Sequence, residues 1–138
     1  MSVLLSVKPK YVIEMINGNK KYEFRRSIWR ANKKIKKVYI YSSAPIKKII
    51  GIFTIKDIIE DNPSNLWIKF GEFSGIREDE FFSYFKSSKK AFAIQIDTIE
   101  VFKQPIDPFR EFSYFKPPQS FYYINENVLF NNVLNLIW

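Results

Sequence analysis

The stretch NGNKKYEFRR, residues 17–26, changes its hydrophobic period in the middle, and the reading of that change decides the fold. Before Asn17, the apolar residues Tyr11, Val12, Met15 and Ile16 recur at helical spacing behind Pro9. Proline suits a first helical turn, where its missing N–H would have no partner anyway. Gly18 follows as a helix-ending residue. From Lys21 to Arg25 the order becomes strict alternation, with Lys21, Glu23 and Arg25 on one side and Tyr22 and Phe24 on the other, as a half-buried strand requires. A helix over about residues 9–17 therefore exits into a strand, with Lys20 in the turn between them. Glu23 is the single acid among Lys20, Lys21, Arg25 and Arg26.

Charge marks the same region. Between Lys8 and Lys48 there are thirteen Lys and Arg against two acids, Glu14 and Glu23, so this segment carries +11 and the remainder −3. A local basic footprint next to Tyr22, Trp29, Tyr39 and Tyr41 suits a polyanion with stackable bases, bound through counterion release. The chain holds no cysteine and no histidine, which excludes disulfides, Ser-His or Cys-His catalysis and zinc chemistry. No cofactor is expected. At 138 residues, 46% hydrophobic and 18% aromatic, one domain over residues 1–138 can bury its own core. The apolar runs are too short for a secretory or membrane segment, so a soluble, cytoplasmic protein without membrane contact is expected.

Further along, SVLLSV (2–7) reads as a short first strand. KKVYIYS (36–42) and KKIIGIFTIKDII (47–59) read as an adjacent strand pair joined through Pro45, with Gly51 predicting a bulge or close backbone approach that curls the sheet. Asn62 and Pro63 predict a helix start, and REDEFFSYFK begins another with acids in its first turn, where the helix dipole favours them. KKAFAIQIDTIEVF (89–102) predicts an interior strand, and Phe121–Ile124 a strand after a double proline. The tail, with Leu129, Phe130, Val133, Leu134 and Trp138, predicts an amphipathic helix.

Gly18, Lys20, Glu23 and Arg25 together form the pattern G-x-K-x-x-E-x-R, which resembles the signature of the ASCH domain, a PUA-like β-barrel family. LLSVKPKYV, VYIYSSAP, IIGIFTI, GIREDEFFSYF and PPQSF extend the resemblance, in order, over nearly the whole chain, most like the small stand-alone archaeal and bacterial members. The resemblance implies an α+β fold: a small PUA-like barrel of about five or six strands with flanking helices. It also implies a nucleic-acid-binding cleft between barrel and helices, lined by the signature residues. A few members are enzymes. One subgroup deacetylates acetylcytidine with a lysine, a threonine and a glutamate, and another is assigned ribonuclease activity. Here Lys20 stands at the lysine position, but Glu23 takes the threonine's place and Ser74 the glutamate's, so that triad does not transfer.

The first reading is thus binding of RNA, or DNA, in a basic cleft. Lys20, Lys21, Arg25, Arg26 and Arg30 hold phosphates, Glu23 orients Arg25, and Gln119 and Ser120 reach a base or phosphate. The alternative is a hydrolase on RNA or a modified nucleoside, with Lys20 and Glu23 as candidate catalytic groups. A third is a coactivator-like module that binds protein through the aromatic tail. Sequence leaves the question of catalysis and the oligomeric state open.

Overall fold

The period change at residues 17–26 is a helix followed by a strand. Helix α1 spans Pro9–Ile16 with Val12 and Met15 buried, and strand β2 spans Tyr22–Arg25. The structure, a computed structural model, describes residues 1–125; the tail helix expected beyond them lies outside the described residues. Around α1 and β2 the described chain forms β1 (Ser2–Val7), β3 (Lys37–Ser42), β4 (Lys48–Asp61), β5 (Ala91–Ile106) and β6 (Phe121–Ile124). The six strands make one sheet in the order β2-β5-β4-β3-β1-β6.

Two of these strands are long, 14 residues in β4 and 16 in β5. Their pairing shifts register between Ile49 and Gly51, between Phe53 and Ile55, and between Ile55 and Asp57. Each shift adds local twist, so the sheet curls instead of lying flat. Gly51 provides both features expected of it: it sits at a shift, and a β-carbon there would fall on the Glu100 carbonyl oxygen.

Both faces of the middle strands are covered, which explains the weak alternation of SVLLSV. Val3, Leu5, Val38 and Ile40 pack in one cluster with Val12 and Met15 of α1. Leu4, Tyr39 and Tyr41 point the other way, into a cluster with Ile49, Phe102 and Ile106. A third cluster joins Phe24, Ala91 and Ala93 to Leu66 of α2 (Pro63–Phe70) and to Phe81 of α3 (Glu78–Tyr84). Helix α2 starts where Asn62 and Pro63 predict: Asn62 Oδ1 accepts from the Asn65 N–H at 2.8 Å. The acids in the first turn of α3 are those the dipole favours.

Three features depart from the sequence reading. β5 does not end at residue 102 but runs through Pro105 to Ile106. Proline cannot donate to a ladder, and it falls between the Gly51–Val101 and Ile49–Ile106 pairs, where the ladder is interrupted. β1 pairs with β3 in parallel, Leu5 opposite Ile40, with α1 and β2 in the connection; hydrophobic period carries no information about partners. A fourth helix, α4 (Pro108–Glu111), starts at Asp107, whose carboxylate accepts from the Phe109 N–H at 3.1 Å. No helix among the described residues is long and apolar enough to cross a membrane.

Candidate nucleic-acid interface

Because β2 alternates, Phe24 enters the third cluster while Glu23 and Arg25 face the end of β1, where a cleft of about 970 Å³ opens between α1, α3 and the segment before β6. Lys20 reaches the same place from the turn. Its N–H donates to the Glu14 carbonyl at 2.9 Å, and its ammonium donates to the Ser74 carbonyl at 2.7 Å and stands 3.7 Å from Glu23 Oε1. The Tyr11 and Phe24 rings lie 5.4 and 5.5 Å from the ammonium. Lys20 is buried, and burial pulls its pKa below the ordinary lysine value, against the attraction of Glu23.

Glu23 is also buried and bridges two cations. Oε1 accepts from the Phe24 N–H at 3.1 Å, whereas Oε2 lies 3.6 Å from Arg25 Nη2 and accepts no hydrogen bond. Arg25 in turn donates through Nη2 to the Ser6 carbonyl at 2.5 Å, and Nη1 is 3.5 Å from Ser120 Oγ. Ser6 fastens this corner, its hydroxyl donating to the Pro118 carbonyl at 2.6 Å and its N–H to the Ser120 carbonyl at 2.9 Å. Lys20, Glu23 and Arg25 thus form a fixed row beneath the cleft whose formal charges sum to +1. In a low-dielectric wall such a charge projects a stronger potential than on an open surface.

The signature residues Lys20, Glu23 and Arg25 therefore converge, and Arg26, Gln119 and Ser120 line the same cleft. Two expected residues do not. Lys21 lies on the outside of the turn, its N–H donating to the Phe73 carbonyl at 2.8 Å and its ammonium over the Phe73 ring. Arg30 lies beyond the cleft, its N–H donating to Tyr123 Oη at 3.0 Å. Lys20 needs a second correction as a phosphate holder: only 2% of its side chain is exposed, so it lies beneath the floor, out of reach of a phosphate in the cleft. The aromatic neighbours of the basic run are packing residues, as aromatic strand faces more often are, and not faces open to bases. Trp29, Tyr39 and Tyr41 are buried, and Tyr22 stacks on Phe70 at 4.2 Å.

The cleft's accessible aromatic faces are Tyr84 and Phe109, 36% and 50% exposed. The Arg26 guanidinium lies over the Tyr84 ring at 4.5 Å. Lys8 and Lys47 add cations along the walls, which Asp79 and Glu80 also line. Sequence reading missed Tyr84 and Phe109 because neither is near the basic run, although Tyr84 belongs to the GIREDEFFSYF block. Glu80, read in the sequence only as one of the acids in a helix's first turn, accepts from Tyr11 Oη at 2.6 Å and from Lys10 Nζ at 2.8 Å and so clamps α1 to α3. Those bonds, Lys10's foremost, lower the Glu80 pKa, while burial first and the Glu80 bond second raise that of Tyr11.

The fold is shared with proteins of solved structure. Over 119 residues the chain is 28% identical to an ASCH domain-containing ribonuclease of Zymomonas mobilis subsp. mobilis, covering 85% of this chain and 80% of that protein. The crystal structure of ASCH from Zymomonas mobilis superposes with a TM-score of 0.86 at 24% identity, over 99% of this chain and 96% of that one. A mutant of the same protein gives a TM-score of 0.87 at 23% identity, over 99% and 96%. The curled six-stranded sheet with its flanking helices is the fold of these ASCH structures. The chain belongs to the family whose model, described as a domain of unknown function (DUF365), matches residues 2–114.

Proposed function

We propose that this chain binds single-stranded RNA in the cleft. The observation that carries the reading is the pairing of Arg26 with Tyr84 at 4.5 Å above the buried Lys20–Glu23–Arg25 row. The guanidinium lies over the ring, so a cation for phosphate and a planar stack against which a base can lie stand together, over a floor whose formal charges sum to a positive value. The volume, about 970 Å³, is near the top of the range of about 300–1,000 Å³ typical of small-molecule sites, so the cleft suits a short stretch of strand better than a duplex. The Zymomonas mobilis relative's name puts RNA before DNA.

That name also favours a second reading, cleavage of the bound strand. In it Glu23, or Lys20 in its neutral form, takes the proton of a ribose 2′-hydroxyl as that oxygen bonds to the adjacent phosphorus, the bond from phosphorus to the 5′-oxygen breaks, the departing oxygen takes the proton back, and Arg25 stabilises the charge developing on the phosphate. Both proposed bases would first have to be uncovered, which places binding first. Deacetylation of acetylcytidine by a hydroxyl nucleophile is less well supported. Position 74 does face Lys20, but the Ser74 hydroxyl donates to the Gly71 carbonyl at 2.6 Å instead of turning to the cleft.

The test is fluorescence anisotropy with labelled single-stranded RNA at low and moderate salt, with the RNA run on a gel afterwards. Affinity is expected to fall steeply with salt. Arg26→Ala should weaken binding roughly tenfold and reduce the salt slope by about 0.7, the share of one single-strand phosphate contact. Absence of binding at low salt, or salt-independent binding, overturns the proposal. Strand scission by the wild type moves the second reading ahead of the first.

A further inference from the structure

The cleft accounts for only part of the basic segment. RANKKIKK, residues 30–37, carries five cations, Arg30, Lys33, Lys34, Lys36 and Lys37, with no acid between them, and none lines the cleft. All five are exposed, and none is in an ion pair among the described residues. The segment is nevertheless built. Trp29 and Ile35 pin it into the core at 5% and 8% exposure, with Trp29 edge-on to Phe121 at 5.5 Å. A single helical turn, Ala31–Lys33, closes on Lys34 in left-handed backbone at φ 49, a conformation that strains a lysine where it would not strain a glycine. Arg30 donates its N–H to Tyr123 Oη, and Lys33 Nζ stands 5.5 Å over the Tyr123 ring.

These contacts connect the loop to the cleft. Phe121 and Tyr123 belong to β6, which follows directly on Ser120, a cleft residue. Tyr123 is three residue steps beyond Ser120, about 10 Å at roughly 3.3 Å per step. Five like charges held on a strained, pinned turn repel one another, and a polyanion is the partner that turns this cost into attraction. Strand-binding surfaces cover about 4 to 16 nucleotides, more than a cleft of small-molecule size can seat.

We infer that the loop at residues 30–37 is a second phosphate-binding surface, which holds the backbone of the same RNA strand after it leaves the cleft past Ser120. The inference rests on the RNA reading of the cleft, and strand length separates the two. Anisotropy is measured with a trinucleotide and a dodecamer of single-stranded RNA. The proteins are the wild type, a loop variant in which Lys33, Lys34, Lys36 and Lys37 are all replaced by Gln, and a cleft variant, Arg26→Ala. Because the four lysines are exposed and their mutual repulsion is relieved, the loop variant is expected to melt no lower than the wild type.

It should bind the trinucleotide within twofold of the wild type and the dodecamer at least tenfold more weakly, with a salt slope lower by about 2–3, at roughly 0.7 per contact. Arg26→Ala should weaken both RNAs. An unchanged dodecamer affinity in the loop variant, with Arg26→Ala still weak, overturns the loop surface alone. Equal losses on both RNAs also overturn it. Loss in the loop variant with none in Arg26→Ala overturns the continuous path and the cleft reading together.

Discussion

Glu23→Gln is expected to destabilise the fold by about 3 kcal/mol, a fall of roughly 10 °C in Tm, with almost no change in side-chain volume. The carboxylate is 5% exposed and lies between an ammonium at 3.7 Å and a guanidinium at 3.6 Å, so its charge is what allows two cations to remain out of water. Glutamine keeps an acceptor for the Phe24 N–H but turns an NH2 group toward one of the cations, donor against donor. Removing one partner from a buried ionic group leaves uncompensated charge, which typically costs about 3–5 kcal/mol. Adding Lys20→Met to Glu23→Gln should recover part of the loss, because the second change removes a cation that the first left unpaired.

The pH dependence distinguishes this cause from a packing defect. Burial already draws the Lys20 pKa below 10.5, and the attraction of Glu23 is the largest influence holding it up, so the substitution lowers it further. Below the folded-state pKa the amine is charged in both folded and unfolded chains, and its burial costs in full. Between that pKa and 10.5 the unfolded chain keeps a proton that the folded chain has shed, so stability rises with pH there. The gap between Glu23→Gln and the wild type should therefore narrow as pH rises from neutrality, and remain partly open because Arg25 has also lost its carboxylate partner. Urea melts at several pH values measure both effects. A gap below about 1 kcal/mol, or one that does not vary with pH, would show that the row is solvated and not buried ionic structure.

The backbone of this site was legible in the sequence because local rules set it. Pro9, the Val12 and Met15 spacing and Gly18 fixed the helix and its end, and alternation put Glu23 and Arg25 on one side of β2. The depth of the site was not legible. Lys20 looks like any surface lysine in the chain, and only the approach of the Ser74 carbonyl, 54 residues later, makes it a buried one. The basic segment likewise reads as one patch, yet the turn between Arg26 and Trp29 divides it: Arg26 lines the cleft, while Trp29 enters the core and leads the next cations onto the outer loop. Tyr39 and Tyr41 share a face as their spacing requires, but which face meets solvent depends on what packs over β3, here Ile49, Phe102 and Ile106.

Gly75→Ala should be as damaging as the loss of Glu23, at about 2–4 kcal/mol, although residue 75 carries no charge and touches no ligand group. Two causes add. Gly75 has φ +62, where an alanine is strained by about 1 kcal/mol. Its β-carbon would also stand 2.6 Å from Lys20 Cβ and 3.2 Å from Lys20 Cα, closer than carbon atoms can comfortably approach. Relief by moving Lys20 is blocked, because its N–H is bonded to Glu14, its ammonium to Ser74, and the next N–H to Phe73. The turn before β2 must therefore give way as a unit, and the row above it moves with it. Gly18→Ala separates the two causes. Gly18 has φ +85, but nothing lies within 4 Å of the place an alanine methyl would take, so only the strain of about 1 kcal/mol applies. Thermal melts of both variants, with RNA affinity measured well below either Tm, provide the comparison. Gly75→Ala should lose RNA affinity as Arg25 shifts, while Gly18→Ala keeps it. If Gly75→Ala melts within a degree or two of Gly18→Ala, the close packing of the Gly75 turn on Lys20 does not set the geometry of the cleft floor.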